Sequence, residues 1–91
     1  MAGTATANGL PSQECYSVAK IGRSMMEVRQ AGASLTDVLL EMPDTSHGQI
    51  ARALAVIAYG MPPMITAAGR LKAINQFESQ VLASCMRLEG N

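Results

Sequence analysis

Apolar residues recur at helical spacing along four stretches of the chain, and no run alternates apolar and polar residues as a half-buried strand does. The first stripe is Val18, Ile21, Met25 and Val28, with Cys15 and Gly22 beside it. Lys20, Arg23, Ser24, Glu27 and Gln30 cover the other faces of that helix. Pro11-Ser12 opens it, with Ser12 as N-cap and Glu14 near the positive helix end. Gly32 closes it, because a C′ residue without a Cβ turns left-handed at no steric cost.

Ser34-Leu35-Thr36-Asp37 has the form of a capping box with Asp in the acidic position. It starts a short helix bearing Leu35, Val38, Leu39 and Met42 on one face, and Pro43 stops that helix. Asp44, Thr45 and Ser46 offer caps for a third helix with the stripe Ile50, Leu54, Ile57 and Met61. Ala51, Ala53, Ala55 and Ala58 permit close helix approach, and Gly60 with Pro62-Pro63 ends the helix. Thr66 caps the last helix, which carries Leu71, Ile74, Phe77, Val81, Cys85 and Leu88.

The expected fold is therefore all-α, a compact bundle of four helices (one of them short) with the first and last antiparallel. Residues 1–11 read as a flexible N-terminal tail, 12–88 as one helical domain and 89–91 as a frayed end. Residues 53–69 hold no charge between Arg52 and Arg70. A membrane-spanning helix needs ~20 apolar residues, and Gly60, Pro62 and Pro63 break this shorter run. No membrane insertion is expected.

Charge narrows the function classes. Seven basic and seven acidic side chains leave a formally neutral protein whose Lys and Arg lie scattered among acids. Nucleic-acid binding relies on clustered cations, so no nucleic-acid partner is expected. The opening MAGTATANGLP has neither a basic n-region nor a long apolar run, so it is not an intact secretory signal. It reads as a natural start or as the stretch left where a signal has been replaced.

Cys15 lies in the first turn of the first helix and Cys85 near the end of the last. Antiparallel packing would bring them to one end of the bundle, where a disulfide would help so small a core. The alternative is two buried free thiols acting as small hydrophobes. A disulfide points to the periplasm or the cell exterior, and free thiols would suit the cytoplasm.

The segments ECYSVAKIGRSMMEVRQAGASLTDVL, IAYGMP and INQFESQVLASC together resemble a group of small secreted proteins of bacteria and their phages, over about residues 14–85. That group has a Cys near the mature N-terminus, a helix ending in an Arg-Gln-x-Gly-x-Ser-like turn, an Ala-Tyr-x-x-Pro step and a terminal Cys. The resemblance implies a signal-bearing precursor, a helical mature domain and a Cys15–Cys85 bridge. It supplies no catalytic residue. The polar MAGTATANG leader departs from it where a signal peptide would stand.

No motif here carries catalysis. His47, the single histidine, would need Cys15 or Cys85 beside it to form a nucleophilic pair, and it reads more simply as a polar helix-start residue. Paired CxxC or HxxxH turns are absent, the carboxylates stand singly, and no glycine-rich phosphate cradle occurs. No catalytic, cofactor or metal residue is expected, and the chain reads as no enzyme. Arg29-Gln30 is read as structural, with Arg29 at the last carbonyls of its helix.

What remains is a protein partner. Tyr59, Met61, Pro62, Pro63 and Met64 form the candidate partner-binding bend, since Met is flexible and recurs at adaptable surfaces. Met25, Met26 and Met42 are expected to fill the core instead, and Tyr59 to turn its hydroxyl to water. The expected function is a small secreted binding or inhibitor module of the bacterial envelope. A self-associating helical protein, such as a homodimer, is the alternative.

Overall fold

A computed structural model describes residues 2–90 in backbone and residues 13–89 in side chain. Met1 of the expected tail and Asn91 of the expected frayed end lie outside the described residues. Four helices follow in order: α1 Ala2–Gln30, α2 Leu35–Leu40, α3 Ser46–Tyr59 and α4 Ala67–Gly90.

Most of the local signals work as read. Ser34 caps α2 by accepting from the Asp37 N–H, and Thr45 caps α3 by accepting from Gly48. Thr66 Oγ1 accepts from the Gly69 N–H at the start of α4. Gly32 sits at φ 95°, with its N–H on the Arg29 carbonyl and the Ala33 N–H on that of Val28. These two bonds form a Schellman close, which needs the left-handed conformation that glycine adopts freely.

The start of α1 differs from expectation. The helix does not begin at Ser12 but runs from Ala2 through Pro11. Ala2, Ala5 and Ala7 favour this extension, while Gly9 and Pro11 oppose it. Pro11 has no N–H to offer the Ala7 carbonyl, so these are intrinsically the weakest turns of α1.

Antiparallel packing of α1 and α4 follows from their paired positions. Cys15 is bonded to Cys85, Gly22 abuts Val81 and Phe77, and Arg23 reaches Asn75 and Glu78. As numbers rise in α1 they fall in α4. α3 runs the other way: His47 and Ile50 lie beside residues 14–21 of α1, and Tyr59 lies under Arg29. α1 and α3 are therefore parallel, and the segment holding α2 carries the chain back between them.

α1 packs along both α4 and α3, whereas α3 and α4 meet at most marginally. The Cα envelope is accordingly thin, 49 × 31 × 15 Å. Met25, Met26, Leu54, Ala55, Ala58 and Phe77 form the buried cluster, with Met26 fully enclosed. Burying a side chain of that size contributes roughly 1.5–3 kcal/mol.

The face that α3 turns inward follows its expected stripe only in part, through Leu54 and the half-buried Met61. Gly48, Ala51, Leu54, Ala55 and Ala58 are its buried residues, while Ile50 and Ile57 of the expected stripe are exposed. Small side chains let α3 settle close against α1, and the two Ile lie on an adjoining stripe of the helix. Leu71 and Leu88 of the α4 stripe are also exposed, at its two ends. Among the described residues, no helix is long and apolar enough to cross a membrane.

Candidate functional site

Every residue of the expected binding bend is adjacent in space, but much of the bend is committed to the fold. Arg29 Nε donates to the Met61 carbonyl at 3.0 Å. Gln30 Nε2 donates to the Pro62 carbonyl at 3.2 Å, and its Oε1 accepts from the Met64 N–H at 2.7 Å. Arg70 Nη1 closes the far side by donating to the carbonyls of Met64 and Ile65. Two prolines leave this segment few amides for helix or sheet, so side chains of α1 and α4 satisfy its backbone instead.

Arg29 therefore bonds the bend rather than the last carbonyls of its own helix. Its guanidinium also lies 5.0 Å from the centre of the Tyr59 ring, within cation–π range. The Tyr59 hydroxyl does not end in water: it donates to the Ala33 carbonyl at 2.6 Å. Tyr59, Met61 and Met64 are half-buried, and only Pro62 and Pro63 of the five candidates are exposed. Gln30 is buried at 7% exposure with both ends of its amide bonded.

At the other end of the molecule Cys15 and Cys85 form a disulfide with Cα atoms 5.5 Å apart. Cys15 is fully buried and Cys85 half-buried. The free-thiol alternative is thus removed, and with it the Cys–His nucleophilic pair. Cys15, Cys85 and Glu89 converge closely enough to suggest a metal cluster. Both sulfurs are spent on the disulfide, so only the Glu89 carboxylate remains as a donor.

A stretch of surface not singled out from sequence lies between α3 and α4. A groove of about 390 Å³ opens there, with Val18, Leu54, Ile57, Phe77, Val81 and Leu88 in its lining. Val18 of α1 is its floor, because α1 is the helix that both walls pack upon. Ile57 and Leu88 are 58% and 80% exposed. The clue in sequence was the Ala periodicity of α3: an alanine face against α1 requires the Ile50–Ile57 stripe to point elsewhere.

Apart from Glu89 in its lining, the charged residues are organised away from this groove. Across the α1–α4 seam, Glu78 pairs with Lys20 at 2.7 Å and with Arg23 at 2.9 Å, and Arg23 also reaches Glu27. The hydrogen bond from Lys20, aided by Arg23, holds the Glu78 carboxyl below its ordinary value. His47 stands exposed in a separate depression with Glu14 and Ile50. Comparison with known protein families, with curated proteins and with solved structures finds no match.

Proposed function

We propose that the chain is a small, disulfide-stapled, non-enzymatic protein-binding module that works outside the cytoplasm, in the bacterial envelope. The observation that carries this reading is the apolar groove between α3 and α4, bordered by aliphatic side chains left largely in water. Concave apolar surface with exposed aliphatic edges is the chemistry of protein docking. The resemblance to exported proteins of bacteria and phages and the Cys15–Cys85 bond both favour an oxidising compartment. The bend at 59–64 becomes the secondary candidate, since its backbone is already occupied by Arg29, Gln30 and Arg70.

Capture from an envelope fraction tests the reading. Wild-type protein should retain a protein partner saturably, Ile57→Asp should lose it, and Met61→Asp with Met64→Asp should keep it. Capture that ignores Ile57→Asp would remove the groove, and no saturable capture of any protein, itself included, would remove the function. The compartment is tested separately: protein isolated from its native host and denatured without reductant should show no free thiol.

A further inference from the structure

The two sulfurs of the disulfide are not equally reachable. Cys15 is fully enclosed, whereas Cys85 is half-buried and belongs to the lining of the groove between α3 and α4. The depression that holds Glu14, Ser17 and Val18, the neighbours of Cys15 on α1, does not have Cys15 in its lining. Thiol–disulfide exchange begins when a thiolate reaches one sulfur and displaces the other, so access decides which sulfur is attacked. We infer that Cys85 is a thiolation site, entered through the groove by a small-molecule thiol, with Cys15 as the leaving group.

The step balances without an outside oxidant or reductant. The incoming thiolate sulfur bonds to Cys85 Sγ as the Cys85–Cys15 bond breaks, and the electron pair of that bond leaves on Cys15 Sγ, which takes a proton from water. One thiol and one disulfide become one mixed disulfide and one thiol. Cys15 can then attack Cys85 Sγ in return, expel the small thiol and close the bond again. While it lasts, the adduct acts on the groove twice. The added group lies in the groove itself, and the broken bond releases the tie between α1 and α4 at this end.

Glu89 selects among thiols by charge. It is the charged residue of the groove lining, and its carboxylate oxygen lies within 4.8 Å of both sulfurs. Arg87 of the same turn donates to the Ser84 hydroxyl at 3.2 Å, and Glu14 stands in the separate depression with His47. A thiol with a cationic tail therefore approaches Cys85 more readily than one of similar size with an anionic tail.

The test mixes wild-type protein, disulfide intact, with excess cysteamine under native conditions. Early samples are quenched in acid, their free thiols are labelled in denaturant, and the peptides are mapped by mass spectrometry. At least about ten adducts on Cys85 should appear for each on Cys15, with the label on Cys15. Mercaptoethanesulfonate, whose tail is anionic, should react more slowly per thiolate, and Glu89→Gln should shrink the ratio of the two rates at least about twofold at low salt. Adducts shared evenly between the sulfurs, or none formed before the chain unfolds globally, overturn the inference. A rate ratio that Glu89→Gln leaves unchanged overturns the selection by charge.

Discussion

Gln30 ties the last turn of α1 to the bend that joins α3 to α4, and its replacement by Met tests how much that tie contributes. Met preserves length and apolar packing but neither donates to the Pro62 carbonyl nor accepts from the Met64 N–H. A buried polar group left without a partner costs about 1–3 kcal/mol. Met64 is half-buried and Pro62 exposed, so water recovers part of the loss at the carbonyl and less at the amide. The net destabilisation should be about 2–4 kcal/mol, against roughly 5–14 kcal/mol for a whole domain of this length.

Urea titration followed by far-UV circular dichroism, disulfide intact, measures it. The midpoint should fall with the slope unchanged, and the melting temperature should drop by roughly 10–20 °C. Gln30→Glu sharpens the test. Its carboxylate can still accept from Met64 but faces the Pro62 carbonyl with no proton to donate. Burial and that carbonyl raise its folded pKa above the ordinary ~4.3, so the folded state binds the proton more tightly than the unfolded one. Stability relative to wild type should therefore recover as pH falls through the raised value, and be fully recovered below the unfolded one. A Met variant within about 0.5 kcal/mol of wild type, or a Glu variant with no recovery, would refute the clamp.

At Gly48 the constraint is space rather than backbone conformation: a Cβ there would overlap the Pro43 carbonyl oxygen and lie 2.9 Å from its carbon. Gly48→Ala must displace backbone and should cost about 2–3 kcal/mol by thermal or urea unfolding, whereas the same change at Gly60, where the nearest atom to a Cβ is the Ile57 carbonyl oxygen at 3.2 Å, should cost less. Glu78 is the acid-sensitive group of the α1–α4 seam, its pKa lowered from 4.5 chiefly by the hydrogen bond from Lys20. Its contribution is complete above the unfolded value and disappears as pH falls through the folded one. Glu78→Gln should thus lose up to about 1 kcal/mol at neutral pH and, in a stability-versus-pH series, lose less than wild type on acidification.

The sequence made the helices and their caps legible because those signals are local. Ser34, Thr45 and Thr66 each need only the amide three residues ahead, and Gly32 needs only its own conformation. The Cys15–Cys85 pairing was within reach too, once the two stripes were set antiparallel. What escaped were choices made by contact between elements. Periodicity shows that α3 is amphipathic, but it cannot say whether its Ala face or its Ile stripe meets α1. Nor does composition foretell that Arg29 and Gln30 reach 32 residues ahead to the Met61 and Pro62 carbonyls, so the bend looked freer for a partner than it is.

The choice of the Ala face has a consequence for the whole molecule. With Ala55 and Ala58 packed against Met25 and Met26, α3 lies low beside α1 and leaves Ile50 and Ile57 to one side. α4 binds α1 through Gly22, Phe77 and the Glu78 ion pairs, so both outer helices depend on the central one and scarcely on each other. Such an arrangement would splay unless its ends were tied, and both are. The Arg29–Gln30–bend contacts tie one end, and at the other the disulfide closes a 70-residue separation, about 4 kcal/mol in the chain-entropy model. Ties at the ends, rather than contact along the α3–α4 seam, are what allow an apolar groove to stay open between two helices of so small a protein.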